Sequence, residues 1–397
     1  MNNIKLDFPI LDKKIRDKAI TYLDSAASTQ KPKQVINSIS EFLENSYENV
    51  HRGMNSLSID ATDLYEKSRD VAKNFINSNS TNEIIFTRGA TDSINIIANS
   101  LAEHLKEGDK IVVTELEHHS NYLPWMNLCK KLGLELKIIP ISKDGILSED
   151  DIINNCDDST KVLSLTHMSN VTGQILDIKK IKKSINKDTY VAVDGCQSIA
   201  HLKIDVKDLD CDFYSFSSHK LYGPSGIGIM YGKEDILNKL NPPTLGGGMI
   251  NEVSSNDFSY AMLPNKFEPG TPSIEAAIGF KTAMEYLNNN NYQDYFLNEK
   301  KLRSTLIKAL REFKEVDIYG SNEDGNATSI VSFNIKNQNF NDIATFLDQY
   351  GIMIRGGHHC CQPFMKKLGI PGSCRVSFGI YNDCLLYTSP SPRDPIG

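Results

Sequence analysis

Tyr190-Val191-Ala192-Val193-Asp194-Gly195-Cys196-Gln197 and, further on, Phe213-Tyr214-Ser215-Phe216-Ser217-Ser218-His219-Lys220 decide the fold. Each is a short run of apolar, β-branched or aromatic residues that stops abruptly at polar ones. Strands covered by helices on both faces read this way, as near-continuous apolar runs. Working outward, the pattern recurs at Ile84–Thr87, Lys110–Thr114, Glu135–Ile139, Lys161–Thr166 and Gly228–Tyr231. Amphipathic stretches such as Thr91–Leu105, Tyr122–Leu132 and Ile178–Ile185 lie between them. The alternation predicts an α/β fold with a mainly parallel seven-stranded sheet sandwiched by helices.

Past this region, Asn241–Thr271 is rich in Pro and Gly and reads as loop. Helical patterns at Ile274–Asn288, Gln293–Phe313 and Phe340–Tyr350 then mix with strands at Ser329–Asn334, Met353–Arg355 and Ser373–Ser377. The expected division is a large domain over residues 15–264 and a small α+β domain made of 1–14 and 265–383. Two domains suit a chain of 397 residues.

The net charge of −7 gives no footprint for nucleic acid or an anionic membrane. No apolar run is long enough to span a bilayer, and Met1–Lys14 reads as neither a secretory signal nor a transit peptide. The cytoplasm is the expected compartment. Eight cysteines in a chain of this length do not read as a disulfide framework.

Ligands of open α/β sheets sit outside the carboxyl ends of the strands, so the polar residues at those ends are the candidate site. Lys220 precedes the run Gly223-Pro224-Ser225-Gly226-Ile227-Gly228, whereas a phosphate-clamping P-loop needs its glycines before the lysine. A lysine so placed can form a Schiff base with an aldehyde cofactor. Asp194, at the end of an apolar strand, reads as a helix cap or as the counter-charge to a protonated pyridine nitrogen. Gln197 lies three residues further on. Thr87-Arg88-Gly89-Ala90-Thr91 is a strand-to-helix turn suited to an anion, with the Thr91 and Ser217 hydroxyls as further donors. Glu117-His118-His119 offers an imidazole able to stack on an aromatic cofactor and carry protons. In Arg355-Gly356-Gly357-His358-His359-Cys360-Cys361 the flanking glycines suggest a flexible loop bearing a nucleophile, and Arg375 offers a fork for a carboxylate. Adjacent His and Cys residues on extended chain point to opposite sides, so no metal site is expected here.

Taken with Tyr22-Leu23-Asp24-Ser25-Ala26-Ala27, Val50-His51-Arg52-Gly53, Ser169-Asn170-Val171-Thr172-Gly173 and Phe267-Glu268-Pro269-Gly270-Thr271-Pro272, these segments resemble the SUF-type (group II, SufS-like) cysteine desulfurases. Those are class V aminotransferase-like enzymes of pyridoxal-phosphate fold type I. The resemblance runs from about Phe8 to Asp383. It implies pyridoxal 5'-phosphate as cofactor, Lys220 as the Schiff-base lysine and His118 stacked on the ring. Asp194 and Gln197 would contact the ring nitrogen and hydroxyl. Thr91, Ser217 and His219 would hold the phosphate, with Thr271 reaching in from the other subunit of a homodimer. Asn170 would lie near the ring and substrate. Arg375, with Arg355 close by, would bind the carboxylate of L-cysteine, and Cys360 would take the sulfur as a persulfide. The products would be alanine and sulfur bound for an acceptor protein of SufU or SufE type in iron–sulfur cluster assembly. A selenocysteine lyase acting on L-selenocysteine, or a non-catalytic sulfur carrier, are the alternatives.

The chain departs from the family pattern at Asn55, where relatives commonly have histidine, and at Cys361, where many have a small residue. The last segment, Cys384-Leu385-Leu386-Tyr387-Thr388-Ser389-Pro390-Ser391-Pro392-Arg393-Asp394-Pro395-Ile396-Gly397, breaks the periodicity before it. Back-translated with one choice of codons, Cys384 to Asp394 reads as a transposase sequencing adapter. Residues 384–397 are therefore expected to be a non-native tail standing where the family has a final helix. A natural Pro/Ser tail is the other reading.

Overall fold

Seven strands form the central sheet: β1 (Ile84–Thr87), β2 (Lys110–Thr114), β3 (Glu135–Ile139), β4 (Thr160–Thr166), β5 (Tyr190–Asp194), β6 (Phe213–Ser217) and β7 (Gly228–Gly232). Their order is β1-β7-β6-β5-β4-β2-β3. β7 runs antiparallel to both its neighbours, and the remaining pairs are parallel. The expected mainly parallel sheet is present. The computed structural model describes residues 4–51, 53–290, 292–320 and 326–383, so the expected tail at 384–397 lies outside the described residues.

The strands are apolar along their whole length because both faces are buried. Phe86, Val112, Leu163, Leu165, Val191, Val193 and Phe216 pack into one apolar cluster. Their chain neighbours Ile85, Ile111, Val113, Val162 and Ala192, together with Phe213, pack into another on the opposite face. Period-two alternation between two cores is the physical content of a sandwiched sheet.

A second sheet of four strands, Val316–Tyr319, Ile330–Ile335, Arg355–Gly357 and Ser373–Ser377, is antiparallel throughout. Leu302, Ile307, Val331, Phe333 and Val376 form its core. Here several expectations need correction. Met353–Arg355 is not one strand: Ile352–Met353 pairs with Thr21–Tyr22, and Arg355–Gly357 pairs with Ser373–Arg375. Asn241–Thr271 is not all loop, since Ile250–Val253 and Phe258–Tyr260 form a hairpin. The strand Val316–Tyr319 and the helix Gln362–Leu368 add to the expected elements.

Asn55, where the family resemblance implies histidine, caps the helix Ser56–Phe75, its side chain accepting from Ser58 N. Asn is a favoured N-cap residue and such a cap is worth about 1 kcal/mol.

Candidate active site

The parallel strands end on one edge of the sheet, and the start of antiparallel β7 joins them there: Gly228 lies opposite both Thr87 and Ser217. A Cβ on Gly228 would stand 2.6 Å from the Gly89 Cα. Only a residue without a side chain lets the Thr87–Thr91 turn sit this close over β7. Gly89 itself has φ +149 and caps the helix Ala90–Leu101.

A cavity of about 290 Å³ opens on this edge. Lys220, Asp194 and His118 line it, together with Thr91, Ser217 and His219. Asn170, Arg355, Arg375 and Cys360 complete it from the other side. Two expected members stand apart. Gln197 is buried, and its side-chain amide donates to the carbonyl of the lining residue Ala26 (2.8 Å). Thr271 is exposed and lines a neighbouring cavity of about 320 Å³ with Arg88, Asp92 and Gly226.

One end of the site is built for an anion. The helix Ala90–Leu101 begins here, and the positive end of its dipole favours negative charge. The Thr91 hydroxyl pairs with that of Ser120 (2.7 Å), and the Ser217 hydroxyl accepts from Ala90 N (2.8 Å). Burial pushes the His219 imidazole down to about 4, with help from the Lys220 and Lys31 charges.

Lys220 sits in a tight turn fixed from outside. The backbone N–H and hydroxyl of Thr29 both donate to the His219 carbonyl (3.0 Å each), as does the Lys31 ammonium (3.1 Å). Asp194 ends β5, is buried, and accepts from Cys196 N through Oδ1 (2.9 Å).

His118 caps the helix His119–Leu132: its Nδ1 accepts from Ser120 N (3.1 Å). That bond places the proton of the neutral ring on Nε2. Burial pushes this imidazole down to about 3, and the Lys220 charge adds to the effect. Behind it lies a buried network. Glu117 accepts from Thr114 Oγ1 (2.7 Å) and Asn121 Nδ2 (2.6 Å), and Asn121 Oδ1 accepts from Ser164 Oγ (2.7 Å). Burial pushes the Glu117 carboxyl up to about 8, against those hydrogen bonds.

The cysteine loop is held more firmly than its glycines suggest. Gly356 and Gly357 belong to a paired strand, and a Cβ on Gly356 would meet the Phe340 carbonyl at 2.8 Å. His359 and Cys360 both have left-handed backbone, φ +52 and +53. This is a conformation that costs an L-residue about 1–2 kcal/mol. Four hydrogen bonds impose it. Asn170 Nδ2 donates to the His359 carbonyl (2.8 Å) and His119 N to the Cys360 carbonyl (2.7 Å). Cys360 N donates to His358 Nδ1 (3.0 Å) and Cys361 N to the His358 carbonyl (2.9 Å). The turn exposes Cys360 and buries Cys361, whose Sγ lies against the Glu115 carbonyl and whose thiol burial pushes far up.

Arg375 and Arg355 are opposite each other on adjacent strands. Both reach Asp24: Arg355 Nε to Oδ2 (2.9 Å) and Arg375 Nη2 to Oδ1 (3.1 Å). Arg375 is buried, and its Nε has no acceptor. Asp24, Ser120 and the cavity-lining Cys196 are site residues that the sequence reading left without a role. Asp24 and Ser120 fall inside quoted motifs, but only contacts across the fold show what they do.

Enzymes that carry an aldehyde cofactor on a lysine need an amine, an anion cradle, a buried carboxylate and an imidazole around one cavity, and here all four converge. The residues present would fit a phosphorylated pyridine aldehyde: the cradle would take its phosphate, Asp194 would face its ring nitrogen and Lys220 would reach its carbonyl carbon. That fixes the class.

The chain belongs to the aminotransferase class-V family, which it matches over residues 21–384. It is 44% identical over 378 residues to a probable cysteine desulfurase of Staphylococcus epidermidis, covering 95% of this chain and 91% of that one. It is 42% identical over 384 residues to a probable cysteine desulfurase of Staphylococcus aureus, covering 96% and 93%. The apo structure of a cysteine desulfurase from Thermococcus onnurineus superposes with a TM-score of 0.91 at 36% identity, covering 96% of this chain and 94% of that one. The Escherichia coli cysteine desulfurase CsdA gives 0.88 at 33% identity, with the same coverage. Among the described residues no helix is long and apolar enough to cross a membrane.

Proposed function

We propose that this chain is a pyridoxal-phosphate-dependent cysteine desulfurase that converts L-cysteine to L-alanine and takes the sulfur onto Cys360. The observation that carries the reading is one cavity lined at once by Lys220, Asp194, Arg375 and an exposed thiol. An amine and an acid alone would serve many reactions; the thiol on a fixed loop makes this one a sulfur transfer.

Bound in this cavity, the cofactor supplies an electron sink that makes the bonds at the substrate Cα and Cβ breakable. Lys220 would carry the cofactor and move the Cα proton. The Asp194 carboxylate would pair with the ring nitrogen. His118, neutral and protonated at Nε2, would stand against the ring. The Arg375 guanidinium takes the substrate carboxylate, and Asp24 holds that guanidinium in place. The Cys360 thiolate then attacks the substrate sulfur. The Cβ–S bond breaks, an S–S bond forms on Cys360, and the electron pair left on Cβ takes up a proton on the way to the methyl group of alanine. In sum, one cysteine and one enzyme thiol give one alanine and one enzyme persulfide, with no outside oxidant or reductant.

The same reading covers parts of the molecule beyond this cavity. Residues 15–264 act as the cofactor-binding unit, while 1–14 and 265–383 form the smaller one. The active form is a homodimer in which Thr271 reaches the phosphate of the other subunit; its exposure, beside a cavity bordering the cradle, supports this. Gln197 completes the ring contacts, and the persulfide passes to an acceptor of SufU or SufE type for iron–sulfur assembly in the cytoplasm. The test is to mix purified, cofactor-loaded protein with L-cysteine under reducing conditions. Alanine and sulfide should form in equal amounts; absence of alanine contradicts the reading.

A further inference from the structure

Glu268 is a largely buried carboxylate, its side chain 9% exposed, with no part in the chemistry above. Its partner is Arg69, whose side chain is 0% exposed. The pair is bidentate: Nη1 to Oε1 at 2.6 Å and Nη2 to Oε2 at 2.9 Å. The guanidinium lies over the Phe86 ring, 4.6 Å from its centroid, and Tyr65 donates to Oε2 (3.1 Å). A buried ion pair is poor at adding net stability, because desolvation offsets most of the attraction. What it supplies is fixed geometry.

The geometry it fixes is that of β1. This strand is the edge of the sheet, paired on one side alone. On its open side, Arg69 Nη1 donates to the Ile84 carbonyl (2.7 Å) and Glu268 Oε1 accepts from Phe86 N (2.6 Å). The ion pair thus meets an acceptor and a donor of β1 as a neighbouring strand would. β1 leads directly into the turn Thr87–Thr91, and Glu268 lies three residues before Thr271. The fork reaches further through Glu66, which accepts from Arg69 Nε (2.9 Å) and pairs with His51 Nε2 (2.8 Å).

We infer that Arg69 and Glu268 are positioning residues for the cofactor phosphate: one buried fork sets both the Thr87–Thr91 cradle and the turn carrying Thr271. This rests on the pyridoxal-phosphate reading of the site. A strut that only held the fold would affect any ligand of the cavity alike. A phosphate-positioning fork affects pyridoxal phosphate and spares pyridoxal, which has the same ring and no phosphate.

The experiment strips the cofactor from the full chain and titrates it with each aldehyde, reading affinity from absorbance. The double variant Arg69→Met with Glu268→Leu removes both charges together, so that neither is left buried alone. Its preference for pyridoxal phosphate over pyridoxal is expected to fall by about tenfold or more, the worth of one charge-assisted hydrogen bond, with pyridoxal affinity unchanged. Should that variant fail to fold, Glu268→Gln, which keeps the shape, is expected to lower the ratio by about threefold, a weakened bond of the same kind. An unchanged ratio overturns the inference, whether both affinities fall together or neither moves. Failure of the underlying reading would show in the wild-type chain itself, as binding of neither aldehyde.

Discussion

The side-chain amide of Asn170 donates to the backbone carbonyl of His359 at 2.8 Å. This bond ties the turn after β4 to the residue just before Cys360. It holds a left-handed backbone that His359 would not adopt unaided. In the same stroke Asn170 offers its own carbonyl to Arg375 Nη1 (3.0 Å). One residue of the sheet edge therefore holds both the turn that carries the Cys360 thiol and the Arg375 guanidinium.

Replacing Asn170 with Ala should free the turn while leaving the cofactor contacts of Lys220 and Asp194 in place. Persulfide formation should slow by about 10- to 100-fold, as misplaced reacting groups do, with an unchanged cofactor absorption spectrum. A variant with the wild-type rate would show that the turn needs no such tether.

Arg375 makes two hydrogen bonds with different nitrogens of one planar group, to the Asn170 carbonyl and to Asp24. A lysine keeps the charge and loses the fork. Arg375→Lys is expected to raise KM for L-cysteine by about tenfold or more, from loss of charge-assisted hydrogen bonding worth about 1.5–3 kcal/mol. Its kcat should fall less. Steady-state kinetics at saturating cofactor decide this, and an unchanged KM would remove Arg375 from substrate binding.

Cys360 is exposed and Cys361 is 0% exposed, so the adjacent thiols should part in their chemistry. An alkylating reagent should label Cys360 first. Cys361→Ala should keep persulfide formation and lose about 1–2 kcal/mol of stability, the cost of a small buried group. Cys360→Ala should bind cofactor and form no persulfide at this position. Labelling of Cys361 ahead of Cys360, read by peptide mass spectrometry, would contradict the burial.

Stability should peak near pH 6.5. Burial holds His167 down to about 4 and His359 to about 3, so below 6.5 the unfolded chain binds protons that the folded one refuses. Stability is thus lost as pH falls from 6.5, and His118 and His219 act in the same direction. Glu117 acts oppositely. Its carboxyl is raised to about 8, so its contribution is full below its ordinary value and lost as pH rises through 8. Each group changes the slope by about 1.4 kcal/mol per pH unit. Urea unfolding between pH 5 and 8 should show the maximum; a profile flat over that range would contradict neutral buried histidines.

The large sheet was legible because both its faces are buried: Val191 and Val193 feed one core, Ala192 the other, and the run of apolar residues marks the strand. The hairpin Ile250–Val253 with Phe258–Tyr260 was not. It is mostly exposed, so its residues Asn251, Glu252 and Ser259 carry no apolar alternation. Site residues placed by local pattern, such as Lys220 and Asp194 at strand ends, could be named from sequence. Those defined by distant partners could not: Asp24 acquires its role from arginines at 355 and 375, and Glu268 from Arg69. Two adjacent cysteines likewise look equal until the backbone turn at His359 and Cys360 sends one outward and the other in.

The central claim is that sulfur from free cysteine lands on Cys360. The most direct measurement is a single turnover: cofactor-loaded protein with L-cysteine and no reductant, alkylated, digested and mapped by mass. One added sulfur should appear on the peptide containing Cys360, matched by one alanine per site. Alanine produced with that peptide unmodified, or with the sulfur on Cys196 or Cys361 instead, would contradict it.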